Sequence, residues 1–320
     1  MERRKLGNTD LQTAPIVFGG NVFGWTLDEN QSFQILDDFI GAGFNAIDTA
    51  DVYSRWVEGN KGGESETIIG KWMKTRGNRD DITLITKVGA DMGQGHKDLT
   101  ESYILKAVDR SLQRLQTDHI DLYFTHWDDD RTPVEETLGA YDKLIKSGKL
   151  RWIGASNLSP ERLKASLDAS KKHKLPRYEV FQPGYNLYDR QGFEEGVATL
   201  CKEHGLGVIS YYSLASGFLS GKYRSEDDLS QSARGGGVKK YMDERGKNIL
   251  KALDELAEKH KISQAALALA WLINKPLITA PIASATSSKH LQAFTEATQL
   301  ELNHEDMELL EEASSYTTKA

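Results

Sequence analysis

Short apolar, β-branched runs alternate along the chain with longer stretches of helical periodicity. Eight runs read as strands: Ile16–Phe18, Phe44–Ile47, Ile82–Ile85, Ile120–Phe124, Arg151–Ala155, Tyr178–Phe181, Gly207–Tyr211 and Leu277–Ala280. Each is too short for a helix and is bounded by turn or capping residues. Between them, Ile104, Leu105, Val108, Leu112 and Leu115 make one apolar stripe at helical spacing. Thr132-Pro133-Val134-Glu135 reads as a capping box with proline at the first helical position. Ser159-Pro160 repeats the proline signal, and Ser263 is placed to cap a helix through Leu272. Eight strand–helix alternations predict a parallel sheet. Over 320 residues, closure into an α/β, (β/α)8 TIM-type barrel fits better than an open sheet. The segment Arg3–Leu11, with a turn at Gly7-Asn8, is expected to form a hairpin across the barrel floor. Extra helices beyond the eight units are expected too, and with no linker in view the chain, 1–320, reads as one domain.

One segment breaks the rhythm. About three dozen residues separate Tyr211 from the helix near Asn248, with glycines at 217, 221 and 235–237. Loops of that length are uncommon in compact domains. Both a functional lid and a flexible insertion fit the sequence.

Composition narrows the function classes. Hydrophobic residues at 39% and charged residues at 27% are those of an ordinary soluble globular protein. The 40 Lys and Arg against 47 Asp and Glu argue against a dedicated nucleic-acid binder. Cys201 is the only cysteine, so an intramolecular disulfide is impossible and a reducing compartment is expected. The start of the chain is charged and polar rather than apolar, and no stretch approaches the roughly 20 apolar residues of a membrane span. The cytoplasm is the expected location, with no membrane partner. His126 is the only plausible imidazole ligand at a strand end, so no metal site is expected.

In an α/β barrel, catalytic groups sit on the loops that follow the strands. The second candidate strand runs into Asp48 and then Tyr53, the third into Lys87, and the fourth into His126. The fifth ends at Ser156-Asn157, the sixth at Gln182 and the seventh at Tyr211. Taken singly, an Asp caps turns, a Tyr packs, a Lys lies on a rim and a His satisfies a neighbour. Taken together, a carboxylate, a phenol, an amine and an imidazole could converge on one mouth.

In this order the motifs resemble the aldo-keto reductase family nearly end to end. They are Phe44-Asn45-Ala46-Ile47-Asp48-Thr49-Ala50-Asp51-Val52-Tyr53, Gly63-Glu64-Ser65-Glu66, Thr86-Lys87-Val88-Gly89, Asp118 through His126, Ser147 through Asn157, and Gly221-Lys222-Tyr223. The resemblance implies a carbonyl–alcohol oxidoreductase that uses a nicotinamide cofactor, with a small-molecule carbonyl or alcohol as substrate. Tyr53 matches the family's acid, and Lys87 the cation that favours its phenolate. Asp48, at the strand end and so preferred to Asp51, matches the partner of Lys87, and His126 the group that orients the carbonyl. Ser156, Asn157 and Gln182 match the carboxamide site, and Tyr211 the aromatic stacked on the nicotinamide ring, although core packing would also explain it. Gly19, Gly20 and Asn21 would border the cofactor. Ser213, Leu214, Ser216, Gly217, Lys222 and Arg224 would follow its phosphates.

The match frays after the eighth strand, where the usual basic and amide residues are replaced by Ser284, Thr286 and His290, followed by Ala293 and Phe294. The hydroxyls, with Lys289 and His290, could still take a 2′-phosphate. NADP(H) is therefore expected, with NAD(H) as the alternative. Trp25, Trp56 and Trp127 are candidate substrate walls or packing residues, whereas Trp72, Trp152 and Trp271 read as core. Asp128-Asp129-Asp130 reads either as a substrate-facing cluster or as a solvated turn. A second function from another class fits the same scaffold, a cofactor-binding regulatory subunit like the potassium-channel β subunits. The substrate, the direction and the oligomeric state are not legible.

Overall fold

The computed structural model describes residues 1–232 and 235–316. Among them are ten strands: β1 (Arg4–Lys5), β2 (Gln12–Thr13), β3 (Val17–Gly19), β4 (Ala46–Asp48), β5 (Thr83–Val88), β6 (Ile120–Thr125), β7 (Leu150–Ser156), β8 (Val180–Gln182), β9 (Gly207–Ser210) and β10 (Ala280–Ala283). The last eight close into a barrel in the order β10-β3-β4-β5-β6-β7-β8-β9. Every barrel pairing is parallel.

Helices α1 (Glu29–Gly41), α2 (Glu64–Arg76), α3 (Glu101–Leu115), α4 (Val134–Lys146), α5 (Pro160–His173) and α6 (Ala198–His204) follow β3 to β8 in turn. Helix α7 (Glu244–His260) is an addition before α8 (Gln264–Asn274), and α9 (Ser288–Gln299) follows β10. The second addition, α10 (His304–Ala313), is tied to α7: Lys259 and His260 both bond Asp306, at 2.6 and 2.8 Å.

Strand periodicity decides what points inward, because successive side chains on a strand face opposite sides. Ala46, Ile85, Leu122, Phe124, Val180, Ile209, Ala280 and Ile282 fill the barrel interior, while Ile47, Leu84, Tyr123, Ile153 and Val208 pack outward against the helices. Two residues beyond an interior position, the chain still points inward. Asp48, Lys87, His126, Gln182, Tyr211 and Ser284 all sit at that parity, at the carboxyl ends of the strands. Register brings them level: Gly19 pairs with Asp48, and Ser156 with Gln182.

The floor is closed by the hairpin β1–β2, whose Leu6 and Leu11 join the interior cluster. Its turn needs glycine. Gly7 has φ +59°, and a Cβ there would lie 2.2 Å from the Glu179 carbonyl oxygen.

Several local expectations need correction. The eighth strand is Ala280–Ala283 rather than Leu277–Ala280, because Leu277 and Ile278 lie in a turn closed by the Ile278 amide on the Lys275 carbonyl (3.0 Å). Pro281 sits inside this strand although proline is disfavoured in central strands. Thr132 does not cap α4. Pro133 occupies the cap position, and the Thr132 hydroxyl donates instead to Asp129 (2.7 Å). Ser159 and Ser263 do cap α5 and α8. Trp72 and Trp271 are fully buried, whereas Trp152 is half-buried with its indole N–H on Asp10 (2.6 Å). Asp128 pairs with Arg162 (2.8 Å), and buried Asp129 binds Thr132, Arg131 and the Leu99 amide, so both are structural. The long segment after Tyr211 is a chain of 3₁₀ turns, and Phe218, Leu219, Tyr223, Val238 and Tyr241 anchor it in the main core. Its described residues form part of the cleft wall.

Candidate active site

A cleft of about 1250 Å³ opens at the carboxyl ends of the strands. At its base, Lys87 Nζ donates to Asp48 Oδ2 (2.6 Å), to the Thr49 carbonyl (2.8 Å) and to the Tyr53 hydroxyl (3.0 Å). All three ammonium hydrogens are thereby used. The Tyr53 phenol donates to the same Asp48 oxygen at 3.3 Å. Lys87 is wholly buried and Asp48 nearly so. Asp48 Oδ1 accepts from the Gln182 amide (3.0 Å), which locks the carboxylate and ties this group to the next one.

Burial governs the proton affinities. It pushes the Tyr53 phenol well above its usual value, and the Asp48 carboxylate adds to the push. Lys87 is pulled below the usual ammonium value by burial, against the opposing field of Asp48. Lys87 is expected to favour the Tyr53 phenolate, and burial and the Asp48 carboxylate push the phenol in the opposite direction. His126 is held well below the usual imidazole value by burial and then by Lys87, so its ring is neutral. Its Nδ1 is buried and has no hydrogen-bond partner among the described residues.

The polar groups expected around a carboxamide form one chain. Tyr211 OH donates to Asn157 Oδ1 (2.8 Å), and Asn157 Nδ2 donates to the His126 carbonyl (2.9 Å) and Ser156 Oγ (3.0 Å). Ser156 Oγ donates to the Gln182 carbonyl (2.8 Å). Acceptor capacity remains on both the Asn157 and Gln182 amides, and one N–H of Gln182 remains free to donate. The Tyr211 ring lies against Gly184, where a Cβ would sit 3.2 Å from Cζ.

Further along the cleft, Ser213 (bonded to the Ser210 carbonyl), Leu214, Ser216, Gly217 and Lys222 form one wall, and Thr286 and His290 another. Ser284 donates to the Gly19 carbonyl and to Asn21 (both 2.7 Å), so its hydroxyl braces the loop after β3. Thr286 bonds His290 Nδ1 through its hydroxyl (3.2 Å). Three expected members lie outside the cleft lining: Lys87 is sealed beneath Asp48 and Tyr53, and two others point elsewhere. Arg224 turns away to a two-pronged ion pair with Asp254 (2.8 and 2.7 Å), and Gly20 begins a 3₁₀ turn beneath the Asp48 carbonyl. Trp25, Trp56 and Trp127 do border the mouth. Trp25 and Trp56 meet edge to face at 5.5 Å, Tyr53 lies 6.2 Å from Trp56, and the His126 and Trp127 rings stack at 5.7 Å.

With this arrangement in place, comparison with known proteins is decisive. The aldo/keto reductase family model matches residues 15–315. The aldo-keto reductase YhdN of Bacillus subtilis is 33% identical over 317 residues, covering 96% of this chain and 91% of that protein. The chain belongs to the aldo/keto reductase family. It is an oxidoreductase of that family, and other relatives carry matching names. Norsolorinic acid reductase B of Aspergillus parasiticus is 30% identical over 327 residues, covering 96% of this chain and 82% of that one. The oxidoreductase YrpG of Bacillus subtilis is 32% identical over 317 residues, 97% of this chain and 95% of its own length.

Backbone strain marks the same region of this aldo/keto reductase. Among the described residues, eight non-glycine positions have positive φ. Gln116, Lys174 and Lys261 merely end α3, α5 and α7. The other five are Ser54, Asn157, Tyr212, Ala215 and Ser216, which lie in the cleft wall or directly behind it. Such conformations persist only where their surroundings hold them, and they collect at functional sites. Sequence reasoning did not single out Tyr212, Gln31, Thr26 and Leu27, which also line the cleft. They carry no motif, and only the fold reveals them, Tyr212 just after β9 and Thr26, Leu27 and Gln31 around the start of α1.

Proposed function

We propose that this protein interconverts aldehydes or ketones and alcohols by hydride transfer with NADP(H), with Tyr53 as the proton donor and acceptor. The observation that carries the proposal is the closed triangle of Asp48, Lys87 and Tyr53 beside a neutral His126. The bound nicotinamide would supply or accept the hydride. A carbonyl gaining hydride develops alkoxide character and needs a proton at its oxygen. Tyr53, held protonated by burial, is an acid at that position, and Lys87 donates a hydrogen bond to the phenolate left behind. Asp48 keeps Lys87 aimed, since an unpaired buried ammonium is costly. Neutral His126 can donate one hydrogen bond that orients the substrate carbonyl. Ser156, Asn157 and Gln182 would hold the carboxamide, with Tyr211 against the ring.

Charge supports NADP(H) over NAD(H). Lys222, Lys289 and His290 line one end of the cleft, and the fields of both lysines act on His290. Among the described residues, Asp48 is the only carboxylate lining the cleft. A ribose site built for NAD usually presents an acid, whereas a 2′-phosphate is met by cations. The aromatic mouth suits uncharged carbonyl compounds. A single, buried and free thiol, Cys201, fits a reducing compartment such as the cytoplasm. No helix among the described residues is long and apolar enough to cross a membrane. We further take residues 1–320 as one domain.

The test is Tyr53→Phe. Carbonyl reduction should fall by about 10²–10⁴-fold, the usual yield of general acid catalysis. NADPH affinity by fluorescence titration should stay close to that of the unaltered protein. Turnover near the starting level would reject Tyr53 as the acid, and equal or tighter NADH binding would reject the cofactor assignment.

A further inference from the structure

Behind the Asp48–Lys87 pair lies a second buried polar group that the proposed chemistry does not use. Glu66 on α2 is wholly buried and accepts from Thr86 Oγ1 and from Arg114 Nε, both at 2.6 Å. Asp51, three residues after Asp48, is 3% exposed, and its Oδ1 has no partner among the described residues. The Asp51 backbone amide bonds the Lys87 carbonyl (3.4 Å), so the two residues lie side by side where β4 and β5 end. The charges in this pocket pair off as Asp48 with Lys87 and Glu66 with Arg114. Asp51 is a fifth ionisable group with no counter-charge of its own. A lone carboxylate buried this way is costly, so the neutral acid is favoured.

We infer that Asp51 is a positioning residue that tunes the Lys87–Tyr53 pair through the negative charge it withholds or adds behind Lys87. The inference rests on the proposed roles of Tyr53 and Lys87. The charged and titratable groups facing Asp51 come from every packed element: Glu66 from α2, Arg114 and Tyr103 from α3, Lys87 from β5, Tyr123 from β6 and Tyr141 from α4. Burial, and then Glu66, push its carboxyl up to about 8, against Arg114 and Lys87. Tyr123 OH, also buried and unpartnered, lies in the same field.

The sign follows from electrostatics. Below about pH 8 Asp51 is neutral and the pocket carries no net charge. Above it the added negative charge favours the Lys87 ammonium and disfavours the Tyr53 phenolate. Reduction, which needs the phenol proton, then persists to higher pH, while alcohol oxidation, which needs the phenolate, is restrained. Asp51→Asn stays neutral at all pH values.

The experiment compares kcat/KM profiles of the unaltered enzyme and Asp51→Asn in both directions. They should coincide near pH 6.5. At about pH 9.5 the variant should oxidise alcohols roughly three- to tenfold faster than the unaltered enzyme, since one pKa unit is a tenfold change in the phenolate fraction, while reduction, whose phenol stays protonated in both, should change little. Superimposable profiles would overturn the inference. A measurement that needs neither turnover nor a variant is the infrared titration of the intact protein. A protonated carboxyl band should be present at pH 7 and lost as the pH passes about 8. Its absence at pH 7 overturns the inference even if Tyr53 proves to be the acid. Its presence, and its loss in Asp51→Asn, supports it even if the Tyr53→Phe test fails.

Discussion

Two ionic networks sit at opposite ends of the barrel. At the floor, Asp121 at the start of β6 accepts from Arg151 (2.7 Å), Arg79 (3.0 Å) and the Leu84 amide (2.9 Å), and Arg151 continues to Asp10 in the hairpin (2.8 Å). Arg79 also binds Thr117 and the carbonyls of Ile82 and His119. None of these side-chain atoms is orphaned. At the mouth, Asp51 Oδ1 and His126 Nδ1 are buried without partners, and Tyr53, Lys87, His126 and Asp51 are displaced from their usual proton affinities. The floor is a finished network that serves stability. The mouth keeps unmet polar capacity where a reacting molecule would sit. The same barrel separates the two tasks by strand end.

Substitutions can break this contrast. The largest effect is expected from Lys87→Met, which leaves Tyr53 without its donor and Asp48 without its counter-charge. We expect a loss of about a thousandfold in kcat/KM, readable in single-turnover assays with a saturating cofactor. Asp121→Ala should do the opposite, lowering unfolding free energy by about 2–4 kcal/mol in urea titrations while leaving kcat and KM of the folded enzyme unchanged. A drop in kcat without loss of stability would erase the distinction.

A smaller effect sharpens the description of the far end of the cleft. Replacing Lys222 and Lys289 together by Ala should weaken NADPH binding roughly tenfold more than NADH binding, and raising the salt should mimic this in the unaltered protein. The smallest effect concerns His126. Its folded-state value is depressed, so below about pH 6.5 the unfolded chain takes up a proton that the folded one refuses. Thermal stability should therefore fall as pH drops below that point, and less so in His126→Gln. Identical pH dependences of Tm would contradict a neutral buried imidazole.

Much of the mouth was legible because strand parity is a strict rule. Once Ile47 and Leu84 are read as facing the helices, Asp48 and Lys87 must face the barrel axis. The hairpin and the barrel closure followed from the count of units and the turn at Gly7. The eighth strand was misplaced because Leu277-Ile278 looks more strand-like than Ala280-Pro281, whereas backbone pairing with β9 and β3 decided otherwise. Arg224 was expected near the phosphates by proximity in sequence, yet a carboxylate on α7 captures it, and no local pattern announces such a partner. The direction of the Tyr53 shift was illegible too, because it depends on how much water the fold removes.

The hairpin turn at Gly7 has a consequence for how this sequence can vary. A single methyl at that position would meet the Glu179 carbonyl and the Gly207 amide at 2.2 and 2.7 Å, inside any tolerable contact. The backbone angle disfavours a side chain as well. The seal beneath the barrel thus depends on a hydrogen where every other amino acid has a carbon. Drift at this site is closed to substitution even though it lies at the opposite end of the molecule from the chemistry.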